Sequence, residues 1–126
     1  MEKLFYIGIG GAVGTLGRYL ITASLVKFSG RAFYIGTLSV NMLGSLVIGF
    51  LASLFLRETF LHPGFRLFFI TGMLGGFTTF SSLSLETLKL LQEGRYGEAI
   101  FYVFLSITGG CTFAAIGWNL ASFIPD

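Results

Sequence analysis

The chain of 126 residues is 54% hydrophobic and only 11% charged, with 18 glycines, a net charge of +2 and a mean hydropathy of +0.83. Ordinary soluble domains carry about 25% charged residues, so this composition excludes a large soluble enzyme and a disordered tail, and the single cysteine, Cys111, excludes a disulfide scaffold. What remains is a chain whose solvent is the bilayer.

Four apolar runs follow one another: Leu4 to Val26 with Arg18 inside it, Phe33 to Leu56, Leu67 to Leu85 and Ala99 to Ile124. Each approaches or exceeds the ~20 residues that cross ~30 Å of hydrocarbon as a helix. Each is also far longer than a membrane strand, and none alternates strictly, so the expectation is an all-α integral membrane protein, one four-helix domain over residues 1–126. The connections, Lys27 to Ala32, Arg57 to Arg66 and Glu86 to Glu98, hold most of the charge and leave no room for a soluble domain. Lys3 ahead of the first run resembles a secretory signal, but the run is long, contains Arg18 and lacks a small-x-small cleavage site, so it is expected to stay as a span.

In the first span Gly10, Gly14 and Arg18 recur every four residues. Small residues let helices approach in lipid, where close packing drives association. A charge at mid-membrane costs about 2.5–3.5 kcal/mol, so Arg18 faces protein or a water-filled cavity, or else snorkels to the interface; an anion-attracting vestibule suits both. In the second span Asn41 is the only amide, between Gly36 and Gly44. It serves either as interhelical glue or as a donor of two N–H groups to an anion.

The third span holds the densest signal, Thr71 to Glu86, in which Gly75 and Gly76 precede the hydroxyl residues Thr78, Thr79, Ser81, Ser82 and Ser84. A glycine costs a helix about 1 kcal/mol against alanine, so a broken third helix is expected. Unwound backbone at that depth must be buried by protein or line a cavity, and it offers carbonyls to a cation and helix N-termini to an anion. Phe80 and position 83 then share a face, and a phenyl ring has a positive edge that attracts anions; the plainer reading is packing or lipid contact, as for most of the 15 phenylalanines. Glu86 is expected at the watery end of the span as a solvated group.

Along the fourth span Tyr102 and Ser106 form one stripe, which Gly110 and Ala114 continue without donors, and Thr108 and Thr112 form another. Membrane hydroxyls often bond back to their own helix. His62 beside Pro63 and the lone Cys111 make no transition-metal site, the serines have no recognisable base, and the expectation is no enzyme and no nucleic-acid partner.

Orientation follows the Lys/Arg bias of the connections. Lys3, Arg57 and Arg66 lie on one side and Lys27, Arg31, Lys89 and Arg95 on the other, an excess of one. So even a balance points to insertion both ways and to an antiparallel dual-topology homodimer, whose eight helices wall a pore better than four; the alternative is one weakly biased topology.

The combination of Gly14-x-x-x-Arg18, Gly36-Thr37-Leu38-x-x-Asn41-x-x-Gly44 and Gly72-x-x-Gly75-Gly76-x-Thr78-Thr79-Phe80-Ser81-x-x-Ser84-x-Glu86 resembles the Fluc/CrcB fluoride channels over the whole chain. The resemblance implies an antiparallel homodimer in a bacterial-type inner membrane, passing fluoride passively through two pores, with a structural Na+ at the dimer centre held by backbone carbonyls of Gly75 and Thr78. It further implies Asn41, Phe80, Ser81, Tyr102 and Ser106 as pore residues and Arg18 as the vestibule arginine. At Leu83 the chain departs from the family's second pore phenylalanine. The rival reading, a small dual-topology multidrug exporter, wants a carboxylate within the first span, where this chain has none between Lys3 and Lys27. A purely structural membrane subunit would leave Asn41 and the Gly75 to Ser84 run without purpose.

Overall fold

A computed structural model of the chain describes residues 1–29, 32–57 and 61–125; Arg31, one of the basic residues weighed above, lies outside them. The described residues are helical almost throughout: α1 (Glu2–Ser29), α2 (Ile35–Arg57), α3 (Pro63–Arg66), a π-helical stretch (Leu67–Leu74), α4 (Gly75–Phe77), α5 (Phe80–Gln92) and α6 (Tyr96–Ala121). Among the described residues four segments are long and apolar enough to cross a membrane, Glu2–Lys27, Ile35–Arg57, Pro63–Gln92 and Tyr96–Ala121. Phe5, Leu20, Phe104 and Phe123 are each more than 60% exposed. Lipid tails solvate such surface without penalty, while helices satisfy their own backbone groups.

Glycines set how closely the helices approach. A β-carbon on Gly14 of α1 would collide with the carbonyl oxygen of Met73. α2 and α6 form the most extensive helix pair, and a β-carbon on Gly49 would collide with the carbonyl oxygen of Ala114. Here backbone rests on backbone, which only small residues permit. The register of that pair is readable: a β-carbon on Gly109 would meet Met42 Sδ at 2.9 Å and one on Gly110 would meet Ser45 Oγ at 3.5 Å. Residue numbers rise together on the two helices, so α2 and α6 run parallel.

The third span starts where His62 Nδ1 accepts the Gly64 N–H at 2.9 Å, with Pro63 in the first turn. Proline there sacrifices no helical bond. Between α4 and α5 the chain is extended at Thr78 (φ −85°, ψ 154°) and Thr79 (φ −149°, ψ 123°). The Gly75–Gly76 pair weakens the helix before this point, and β-branched threonines favour extended backbone. Thr79 Oγ1 then accepts the Ser82 N–H at 3.2 Å and so caps α5, which continues past Leu85 to Gln92. Gly94, at φ 73°, turns the chain into α6.

Leu90, Ala99 and Tyr102 form a buried cluster, with Phe33, Tyr34, Leu38 and Leu83 packed around it. Between the third and fourth spans, Arg95 pairs with Glu93 at 3.0 Å and with Glu98, in the first turn of α6, at 2.6 Å. Tyr34 donates to Glu98 at 2.8 Å, and that bond, together with desolvation, holds its phenol above the ordinary tyrosine range. The start of α2 is thereby tied to the first turn of α6.

Candidate pore lining

A cavity of about 590 Å³ opens where α2, the extended residues, α5 and α6 meet. Asn41 and Ser45 line it from α2, Thr78 and Thr79 from the interruption, Phe80, Leu83, Ser84 and Thr87 from α5, and Ser106 from α6. The rest of its wall is Ile48, Val103 and Ile107, so its polarity comes from a few hydroxyls and one amide.

Asn41 is held by the backbone of Thr79 from both sides. Its Oδ1 accepts the Thr79 N–H at 2.8 Å and its Nδ2 donates to the Thr79 carbonyl at 3.1 Å. The amide thus satisfies the groups that the extended chain has taken out of the helical ladder. An amide has two N–H donors, so one is without a partner among the described residues, on a residue that lines the cavity. Asn41 thus joins α2 to the third span, and its second N–H is the group that a donor role would use.

Ser106 Oγ is buried and has no hydrogen-bond partner among the described residues. Such a group costs about 1–3 kcal/mol unless something satisfies it. Phe80 and Leu83 line the same cavity, Phe80 with 81% of its surface exposed in the single chain. Ser81 is not part of this wall; it is exposed, with Oγ 3.4 Å from Thr79 Oγ1. Thr108 and Thr112 do bond back to their own helix, each at 2.7 Å.

A second cavity, about 440 Å³, contains Arg18, Thr37, Thr79, Ser82 and Glu86. Arg18 Nε donates to the Gly76 carbonyl at 3.0 Å, so the charge is anchored to the interruption. Glu86 corrects the sequence expectation of a solvated end group. Its Oε1 accepts from Thr37 at 2.7 Å and its Oε2 from the buried Tyr102 at 2.6 Å. Neither Thr37 nor Glu86 stood out as a site residue in the sequence, though both spacings were there: Thr37 lies one turn before Asn41, and Glu86 follows Phe80 and Leu83 at steps of three.

Among the described residues there is no group of three His, Cys, Asp or Glu that could hold a metal ion. Carbonyls are the available ligands, and two lack their ordinary donors. In a continued helix the Thr79 N–H would serve Gly75 O and the Ser82 N–H would serve Thr78 O. The first goes to Asn41 Oδ1 and the second to Thr79 Oγ1. Uncharged, hard oxygens of this kind fit a monovalent alkali cation better than a divalent ion that wants carboxylates.

The family model described as "CrcB-like protein, Camphor Resistance (CrcB)" matches residues 5–118. The chain belongs to the CrcB family. Its CrcB relatives include proteins named "Fluoride-specific ion channel FluC" from Helicobacter pylori (strain P12), 48% identical over 120 residues covering 92% of this chain and 90% of the relative. Others with that name come from Methylobacillus flagellatus, 40% identical over 95% of this chain and 94% of the relative, and from Azobacteroides pseudotrichonymphae genomovar. CFP2, 38% identical over 98% of each. This CrcB chain is a multi-pass membrane protein, and these relatives are named as ion channels.

Proposed function

We propose that the chain is a fluoride-selective channel that lets the anion leave passively, down its gradient. The observation that carries this reading is the cavity beside Asn41, where an apolar wall holds a spare amide N–H and the unpartnered Ser106 hydroxyl. A small, tightly hydrated anion enters only if donors replace its water, and it leaves only if no fixed positive charge traps it. The cavity offers such donors, with the Phe80 ring beside them, and contains no lysine or arginine. Arg18 lies in the neighbouring cavity, where it raises the local anion concentration without sitting in the path. The relatives' shared name supports fluoride as the anion.

The working unit in this reading is an antiparallel dual-topology homodimer with two pores, one along each copy's cavity. The even basic balance and the exposure of Phe80 and Gly75 in the single chain support it. Reporters fused to the C-terminus should give signal on both sides of the membrane, and a strictly one-sided result would remove this assembly. The interruption at Thr78 and Thr79 then lies near the two-fold axis, where Gly75 and Thr78 carbonyls from both copies would hold a structural Na+. Bound there, the ion would supply positive charge that ties the two interruptions together. A structure of the dimer with only water at those carbonyls would count against it.

A multidrug exporter is less well supported, since the only acidic residue of α1 is Glu2 at its beginning and Glu86 has both oxygens engaged. The deciding experiment uses the purified chain in liposomes. Fluoride loaded inside should leave passively when a potassium ionophore clamps the voltage, chloride should stay, and a proton gradient should drive no drug uptake. Chloride efflux at a comparable rate would overturn the selectivity, and no fluoride efflux would overturn the function.

A further inference from the structure

The cavity wall holds six hydroxyl side chains, Ser45, Thr78, Thr79, Ser84, Thr87 and Ser106. A hydroxyl helps an anion only with a proton that nothing else claims. Thr78 Oγ1 donates to Leu74 O at 2.9 Å, Ser84 Oγ to Phe80 O at 3.0 Å and Thr87 Oγ1 to Leu83 O at 2.7 Å. Thr79 Oγ1 donates to Ser82 Oγ at 3.2 Å. Ser106 Oγ is buried without a partner, and Ser45 Oγ makes no hydrogen bond among the described residues. Two of the six hydroxyls therefore have a free proton, and one of these, Ser45, lies outside both stripes read from the fourth span.

Its place in the register gives it a role. On α2, Thr37, Asn41 and Ser45 follow one another every four residues, and on the parallel α6, Tyr102, Ser106 and Gly110 do the same. Four residues advance a helix by about 6 Å. The α6 stripe loses its donor at Gly110, and that is where Ser45 stands: a β-carbon on Gly110 would meet Ser45 Oγ at 3.5 Å, an ordinary contact. One turn further on, the backbone of Ala114 fills the space beside Gly49, and no side chain fits between the helices.

We infer that Ser45 is a fluoride-contacting residue, which takes the anion from Ser106 and Asn41 and replaces on α2 the hydroxyl that α6 lacks at Gly110. The polar path thus crosses from one helix to the other within one turn. The inference rests on the channel reading above and assigns a residue that neither the fourth-span pattern nor the resemblance names. It also explains why a glycine is tolerated in the α6 stripe: the opposite helix supplies the donor.

The hydroxyl should be transferable across the path. Fluoride efflux from liposomes is measured with an ion-selective electrode for the parent, Ser45→Ala and Ser45→Ala/Gly110→Ser, each checked for the parental elution volume on size exclusion. Ser45→Ala should slow efflux about tenfold, and adding Gly110→Ser should bring it back to within about threefold of the parent, because the space vacated by Ser45 Oγ receives the new side chain. A parent that passes no fluoride refutes the channel reading itself. A parent that conducts, with Ser45→Ala equally fast, refutes the role of Ser45 while leaving the channel intact. A slowed Ser45→Ala that Gly110→Ser fails to restore also overturns the inference, since packing rather than the hydroxyl would then set the rate.

Discussion

Asn41→Asp should lower passive fluoride efflux about a thousandfold while leaving the protein folded. The carboxylate still accepts the Thr79 N–H that Asn41 Oδ1 now receives at 2.8 Å, so the extended backbone keeps one of its two ties. The bond from Nδ2 to Thr79 O at 3.1 Å disappears, and so does the second N–H of this cavity-lining residue. The larger effect is electrostatic. A unit charge ~4 Å from the anion repels it by about 4 kcal/mol at an effective dielectric of ~20, and ~1.4 kcal/mol is tenfold in rate. Efflux from liposomes measures the loss, and size exclusion measures assembly. Unchanged efflux from a variant whose assembly is weakened would make Asn41 interhelical glue and nothing more.

Much of the fold was legible in the sequence because membranes leave few choices. Apolar runs have to become helices, so four spans follow from composition alone. Asn41 could be singled out because an amide in hydrocarbon has to find partners, and it finds both at Thr79. The sequence could not show that both bonds run to the Thr79 backbone, since that depends on which backbone groups the Thr78–Thr79 stretch exposes. Gly75 and Gly76 marked the weak place in the third span, yet the extended residues are the two threonines after them, where β-branching and the Thr79 cap act together.

Glu86 was misread for an instructive reason. At the end of an apolar run a carboxylate looks solvated, but α5 continues to Gln92, so residue 86 lies inside a helix and faces Thr37 and Tyr102. Span ends read from hydropathy mark where charge begins, and helices pass beyond that point whenever partners await the charge. Ser81 does not line the cavity of the single chain. It follows Phe80 directly, and one step along a helix turns a side chain by about 100°, which takes Ser81 off the face that Phe80 and Leu83 share. Residues that line one cavity from a helix are spaced by three or four, as Phe80, Leu83, Ser84 and Thr87 are.

Leu83 is where the chain leaves the pattern it resembles, and there the structure permits a direct test. Leu83 and Phe80 line the same cavity one helical turn apart, and Leu83 also packs against the cluster around Tyr102. A leucine presents no positive ring edge, so among the described residues that line this cavity Phe80 alone offers one, and in the channel reading proposed above it would face the anion beside Ser106. Leu83→Phe should therefore raise fluoride efflux severalfold, provided the cavity of about 590 Å³ takes the larger ring without strain. In the parent background Phe80→Leu removes the remaining edge and should slow efflux at least tenfold, the equivalent of ~1.4 kcal/mol at the barrier. Chloride should stay excluded in both variants, because neither change adds positive charge to the wall. The two substitutions together, Leu83→Phe with Phe80→Leu, separate the possibilities. Efflux recovered toward the parental rate would mean that either position can present the edge. Efflux as slow as in Phe80→Leu alone would mean that the ring has to stand at the start of α5, beside the Thr79 backbone that Asn41 holds in place.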